Sequence, residues 1–231
     1  MAISRFDSRP IDEALSRSAT VIVPSLRIKD AILAEVHSKQ NQTAYKAPSV
    51  VPIDVWIKNL WNLRGVAGIS PSCDWQLMSG AQELFVWTQI IEESSHSIPL
   101  LNPQETATQV STSYQTLQQW ALWDSLLDGG SHYQSNLDVA TFIEWAKTYQ
   151  AVCADRQLIS LVDCTRRLID ALENSDRSYL PEEIALSNFD DPPPLYVRLF
   201  AALANLTNMS STTLASTSRN EPATRYIFSD R

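Results

Sequence analysis

Three short apolar segments constrain this fold more than any other feature. Each of them leads into an amphipathic helix through a turn that contains or borders proline. The first, "TVIVPSLRIKDAIL" at residues 20–33, has four residues of strand character before Pro24, and apolar residues then recur at helical spacing. The second is "SVVPIDVWIKNLW" at residues 49–61, and the third is "EEIALSNFDDPPPLYVRLFAAL" at residues 182–203. A strand followed directly by a helix is the repeating unit of α/β proteins, so a mixed α/β fold is predicted.

The segment between the second and third units, residues 66–180, is predicted to be helical throughout. Side chains that favour helix starts stand at Asn102, at Asn136 or Asp138, and at Ser160. An earlier helix, in "CDWQLMSGAQELFVWTQIIEESS", is predicted to carry an aromatic stripe from Trp75 to Trp87. Aromatic residues at helical spacing are interpreted as core rather than as a ligand site, because they bury large apolar areas.

The end of the chain is predicted to return to loop and strand. The segment "LTNMSSTTLASTSRNEPA" at residues 206–223 is polar and rich in Ser and Thr, which predicts a surface loop. The last eight residues, "TRYIFSDR", have the character of a further strand. A chain that stops on a new strand is expected to be a fragment of a longer protein or a truncated gene product.

The formal net charge of −8 limits the partners that the chain can bind through its whole surface. Neutralising many phosphates needs clustered Lys and Arg, so a broad DNA-binding surface is excluded. DNA binding through a local basic strip, or through positive charge supplied by a neighbouring segment, remains a possible alternative. A helical adaptor that binds only protein is the alternative that agrees best with this charge.

Cysteine usage and hydropathy predict a cytoplasmic protein that does not enter the membrane. Cys73, Cys153 and Cys164 are odd in number and lack a CxxC spacing, which favours a reducing compartment. The N-terminal residues are polar and charged, so no signal peptide is predicted. No apolar run approaches the roughly 20 residues that a membrane-spanning helix needs.

The motifs that bind cofactors or perform catalysis are missing from the sequence. There is no G-x-x-x-x-G-K-[ST] phosphate loop, no dinucleotide fingerprint and no G-x-S-x-G nucleophile turn. The three histidines, His37, His96 and His132, are scattered, which disfavours a catalytic triad or a zinc site. Neither a cofactor nor a metal is therefore predicted.

Four carboxylates near the third unit form the best candidate for metal chemistry. Glu182 and Glu183 precede the apolar segment, and Asp190 and Asp191 follow it. Carboxylates at the carboxyl end of a buried strand hold magnesium in nucleotide hydrolases, so a metal-dependent hydrolase using Asp190 and Asp191 stays open. A solvated turn that leads into the next helix is preferred, because no phosphate loop accompanies these residues.

Short motifs in the three units follow one another in a recognisable order. They are Val23-Pro24 with Arg27-Ile28, then Pro52 with Trp56, Leu60 and Trp61, then Asn188-Phe189-Asp190 with Pro192 to Pro194. Together with the helical segment containing "FIEWAKTYQAVC", this series resembles the amino-terminal part of a family of bacterial DNA repair proteins related to the AddB-type helicase–nuclease subunit. That family has a superfamily 1 helicase-like region in front and a PD-(D/E)XK nuclease at the far end. Trp56 and Trp61 are interpreted as core residues rather than as stacking platforms for bases.

The resemblance implies an α/β fold with an incomplete P-loop, superfamily 1 helicase-like parallel sheet, formed by residues 1–65 and 181–231. A large all-helical insertion, residues 66–180, would interrupt it. Ser187-Asn188 stand where active relatives carry an Asp-Gly or Asp-Glu step for magnesium, and the phosphate loop is absent. The chain alone is therefore expected to be neither an ATPase nor a nuclease, and a nuclease domain is expected in a longer parent protein.

The resemblance also places the turn after the first strand at the second helicase motif, which contacts the DNA backbone rather than ATP. Pro24, Ser25 and Arg27 are the predicted DNA-contacting residues, since amide groups at a helix N-terminus attract phosphate and arginine adds positive charge. For Arg27, an exposed helix residue without a ligand is an equally open interpretation. The expected partners are single-stranded DNA, reached through the longer parent or its complex, and a partner protein subunit.

Overall fold

The computed structural model describes residues 9–39, 47–94, 102–129, 136–174 and 179–212. Its elements, in chain order, are α1 Arg9–Ser16, β1 Thr20–Val23, α2 Leu26–Lys39, β2 Val50–Pro52, α3 Ile53–Val66, β3 Gln76–Leu77, α4 Gly80–Glu93, α5 Pro103–Gln119, α6 Trp123–Asp128, α7 Leu137–Asp155, β4 Leu158–Ile159, α8 Leu161–Glu173, β5 Glu183–Ser187, α9 Pro194–Ala204 and β6 Asn208–Thr212.

The described residues divide into two compact units. The first is an α/β unit, formed by the described residues up to 56, from 174 to 192 and from 200 onward. The second is a helical unit, formed by those from 57 to 173 and from 193 to 199. Compactness alone does not define a domain, so the boundaries predicted from the sequence, after residues 65 and 180, remain a prediction.

The α/β unit contains a four-stranded sheet in the order β2-β1-β5-β6, and all three strand pairs are parallel. In the register of β1, Val21 lies opposite Val50 on one side and Ala185 on the other. Parallel strands are covered on both faces, which is why the central strand is a continuous apolar run rather than an alternating one. This sheet confirms the mixed α/β fold predicted from the three strand–helix units.

One face of the sheet packs against the first two helices. Val21, Val23 and Ala185 form a buried cluster with residues of α1 and α2, among them Ile11 and Ile32. Successive side chains of a strand point to opposite faces, so Ile22, which is fully buried, belongs to the other face. α1 and α2 therefore cover the sheet side by side.

The polar segment that was predicted to be a loop contains the strand β6 instead. Residues Asn208–Thr212 pair with Glu183–Ser187 over five consecutive positions. The sequence prediction was wrong here because β6, the outermost of the described strands, is held by backbone hydrogen bonds to β5 and needs no apolar alternation. The further strand predicted at residues 224–231 lies outside the described residues.

The helical unit has an aromatic core built mainly by α4, α5 and α7. The ring of Trp87 stacks on that of Tyr149 with centroids 4.1 Å apart, and Tyr114 meets Trp87 edge to face at 5.5 Å. Trp123 and Trp145 are buried in the same cluster. Trp56, which belongs to the α/β unit, and Trp61, which belongs to the helical unit, are 8% and 2% exposed, and this agrees with their interpretation as core residues.

The segment from 66 to 180 is not helical throughout, contrary to the prediction. Gln76–Leu77 and Leu158–Ile159 form a short parallel pair, and α4 begins only at Gly80, where Ser79 and Gln82 form a capping box. Trp75 therefore precedes the helix, and the Arg167 guanidinium lies 3.9 Å from its ring centroid. A pairing between residues some 80 positions apart leaves no local trace in the sequence.

The predicted helix starts at Asn102 and Ser160 are confirmed, and of the two candidates Asn136 and Asp138 it is Asn136 that caps its helix. The side chain of Asn102 accepts a hydrogen bond from the Glu105 N–H, and that of Asn136 accepts one from the Asp138 N–H. Ser160 Oγ accepts from the Asp163 N–H at 3.1 Å. These caps satisfy amide groups of the first turn that would otherwise lack a partner.

Candidate functional site

The strand order creates a topological switch point in the α/β unit. The chain moves from β1 to β2 on one side, then returns to β5 on the opposite side of β1. At such a point the connections leave the sheet in opposite directions, so a crevice opens beyond the carboxyl ends of the two central strands. In open parallel sheets this crevice is where ligands bind.

A cavity of about 530 Å³ opens at this point. We call it the switch-point crevice; it is lined by Ile11 and Asp12 of α1, by Ser25, by Arg27, Ile28, Ala31, Ile32, Glu35 and Val36 of α2, and by Asn188. Its walls are mostly apolar, and polar side chains stand at its two ends. Ligand pockets in proteins commonly have this volume and this combination of surfaces.

Two of the three predicted DNA-contacting residues line the crevice. Ser25 caps α2: its hydroxyl accepts a hydrogen bond from the Ile28 N–H at 3.4 Å, and its carbonyl accepts one from the Lys29 N–H at 3.1 Å. Arg27 is exposed, and within the described part of the chain its guanidinium has no hydrogen-bond or ion-pair partner. Pro24 is half-buried in the turn and does not line the crevice.

Asn188 joins this site from β5 and was not among the predicted site residues. Its backbone is left-handed, with φ of 63°. Ser187, which is fully buried, donates its hydroxyl to Asn188 Oδ1 at 2.9 Å, and this bond orients the amide group. In the sequence, Asn188 is marked only by its position directly after a buried strand. The strand order shows that it lines the same crevice as Ser25 and Arg27 of the β1–α2 turn.

We expect the conformation of Asn188 to make the turn sensitive to substitution. Asn188→Ala should lower the free energy of unfolding by about 1–2 kcal/mol, because alanine tolerates the left-handed region poorly. Asn188→Gly should lower it less, since glycine adopts that region freely and both variants lose the same amide group. Urea denaturation of the two variants measures the difference. Equal losses would show that backbone conformation is not the cause.

Acidic side chains stand at the end of the crevice away from the carboxyl ends of the strands. Lys39 Nζ lies 2.8 Å from Asp12 Oδ2 and 3.4 Å from Glu35 Oε1, so one cation bridges the two carboxylates. The hydrogen bond to Asp12 raises the pKa of Lys39. The crevice is thus polarised, with the unpaired Arg27 near the carboxyl ends of the strands and partly neutralised carboxylates at the other end.

The carboxylates considered for metal binding are not brought together. Glu183 lies at the amino end of β5 and pairs with Arg17, Nε to Oε1 at 2.7 Å. Asp190 and Asp191 are exposed beyond the carboxyl end of the same strand. Among the residues that the structure describes, no group of three His, Cys, Asp or Glu side chains could hold a metal ion. His96 and His132 lie outside the described residues.

No protein-family model matches the chain, and no curated protein sequence is significantly similar to it. In the part of the chain that the structure describes, no helix has the length and apolar character needed to cross a bilayer.

Proposed function

We propose that this chain is the non-catalytic, helicase-like portion of a DNA repair or recombination helicase–nuclease, and that it guides the DNA backbone. The observation that carries the proposal is the position of Arg27. It stands without a described partner at the first turn of α2, on the switch-point crevice. The motif order around Val23-Pro24, Pro52 and Asn188 supports the same proposal through its resemblance to the AddB-type family.

The first turn of α2 offers a phosphate two kinds of attraction. Backbone N–H groups at the start of a helix lack intrahelical partners and carry the positive end of the helix dipole. Arg27 adds a full positive charge and a donor fork that suits phosphate oxygens. The Ser25 hydroxyl already accepts from the Ile28 N–H, so its part is to fix the turn rather than to bind strongly.

The negative net charge of the chain limits its affinity for DNA. With a net charge of −8, a chain that offers one such contact binds DNA weakly by itself. The remaining contacts would come from the longer parent protein or from a partner subunit. In this arrangement the chain positions the strand, while hydrolysis is performed elsewhere.

Arg27→Ala should weaken binding to single-stranded DNA and make it less dependent on salt. Losing one phosphate contact should reduce the slope of log affinity against log salt by about 0.7. Fluorescence anisotropy at several salt concentrations, with the chain or its parent, measures both effects. Lys147→Ala, at an exposed position of α7, removes the same charge outside the crevice and serves as the control.

Two other functions are separated by the same set of measurements. A parent protein that binds no single-stranded DNA, or binds it without regard to salt, would overturn the proposal and favour a protein-only adaptor, which the charge of −8 suits. A metal-dependent hydrolase would require Mg²⁺ to raise the melting temperature, and Asp190→Asn with Asp191→Asn to abolish that rise.

A further inference from the structure

We propose that the switch-point crevice receives one unstacked nucleotide of a single DNA strand, with its phosphate at Arg27 and its base against the apolar wall. This inference rests on the proposed function and deepens it, because it assigns a ligand to the part of the crevice that backbone guidance does not use. The accessible part of the apolar wall is formed by Ile28 and Ala31, and the buried Ile11 and Ile32 lie beneath it.

The surfaces of the crevice match the parts of a nucleotide. A base has two apolar faces and a polar edge, and the crevice combines aliphatic side chains with the amide of Asn188 at the carboxyl end of β5. Ser187 donates to Oδ1 of that amide at 2.9 Å, and the amide's Nδ2 group can donate to a further acceptor. Base edges and phosphate oxygens supply such acceptors.

The distribution of charge defines how the nucleotide lies. Arg27 at the end near the β1–α2 turn attracts the phosphate, whereas Asp12 and Glu35 at the opposite end keep a net negative charge beside Lys39 and disfavour a second one. The strand therefore enters and leaves on the Arg27 side, and only the base extends toward α1. One nucleotide occupies the crevice, and its neighbours stay outside.

The geometry selects single-stranded DNA over duplex. A base that is paired and stacked exposes only its edge, so it cannot place a face against Ile28 and Ala31 without being extruded. In a single strand a base leaves the stack at a much smaller cost, and contact with a protein side chain replaces the lost stacking. Base content, in addition to phosphate, therefore contributes to affinity.

A pair of oligonucleotides tests the proposal on the unaltered protein. One is a single-stranded DNA oligomer, and the other has the same length and the same phosphates but tetrahydrofuran abasic residues throughout. We expect the full chain, or its parent, to bind the base-containing strand about tenfold more tightly in fluorescence anisotropy. Equal affinities for the two strands would overturn the inference.

A cavity-filling variant locates the effect in the crevice. Ala31 is exposed on α2 and lines the crevice, so Ala31→Phe should fill it and reduce the tenfold preference to near unity while keeping the salt dependence. Ala34→Phe is the matched control, because Ala34 is exposed on the same helix and does not line the crevice. Thermal melting checks that both variants remain folded.

The outcomes separate this inference from the function on which it rests. Salt-dependent binding that needs Arg27 but ignores the bases would leave backbone guidance in place and overturn the base site. The base site would also be overturned if Ala31→Phe and the unaltered chain showed the same preference for the base-containing strand over the abasic strand. If neither strand binds to the full parent protein, both proposals fall.

Discussion

Replacing Trp87 by alanine should remove about 3–5 kcal/mol from the free energy of unfolding. The indole is fully buried, stacks on Tyr149 and meets Tyr114 edge to face. Truncation would delete a large, fully buried ring and leave a cavity that close-packed neighbours fill only in part. Because whole domains are commonly stable by only about 5–15 kcal/mol, the helical unit of this variant should be close to unfolding.

Urea denaturation followed by circular dichroism measures this loss. Phe85→Ala is the matched control, since Phe85 lies two residues earlier on α4 and is 61% exposed. Its removal should change the free energy of unfolding by no more than about 0.5 kcal/mol. Similar losses for the two variants would contradict the assignment of Trp87 to the centre of this core.

Glu83→Gln should stabilise the protein at neutral pH and flatten the dependence of its stability on pH. Glu83 is 5% exposed beside the aromatic cluster. Its Oε1 accepts hydrogen bonds from the Tyr149 hydroxyl and from Gln115 Nε2, each at 3.2 Å. Burial nevertheless raises the pKa of this carboxyl, and the negative charge of Asp163 adds to the rise. Glutamine keeps the shape and an accepting oxygen without the buried charge.

The sign of the pH effect follows from the raised pKa. An unfolded glutamate titrates near about pH 4.3, whereas the folded one holds its proton to a higher pH. The stability associated with the protonated form is therefore fully present below about pH 4.3 and is lost as pH rises through the folded pKa. The difference in free energy of unfolding between Glu83→Gln and the unaltered chain should therefore increase from acidic to neutral pH.

Free energies of unfolding measured from about pH 4 to pH 8 test this linkage. Glu93→Gln is the control, because Glu93 is exposed on the same helix. That variant should retain the pH dependence of the unaltered chain. A stability difference between Glu83→Gln and the unaltered chain that stays constant across this range would contradict the linkage.

Features encoded by neighbouring residues could be predicted from the sequence. The buried strand at Val21 to Val23 is visible because β-branched apolar residues run into a proline. Asn136 and Ser160 mark helix starts because each side chain bonds an amide only two or three positions away. In these cases the interaction that fixes the structure lies within one turn of chain.

Features that depend on distant residues could not be predicted. The strand β6 exists because β5 supplies its hydrogen bonds, and the pair β3–β4 joins Gln76 to Leu158. The meeting of Asn188 with Ser25 and Arg27 depends on strand order, which no local pattern specifies. The burial of Glu83 likewise comes from Tyr149 and Gln115 on other helices.

The strand order also has a consequence for biosynthesis. β1 pairs with β2 about 30 residues later, but its other neighbour, β5, follows more than 160 residues later. During translation β1 therefore waits with one open edge while the whole helical unit is made, and closing so long a loop is slow. The helices can form early from local contacts, so the sheet with its crevice is expected to be the last part of the protein to mature.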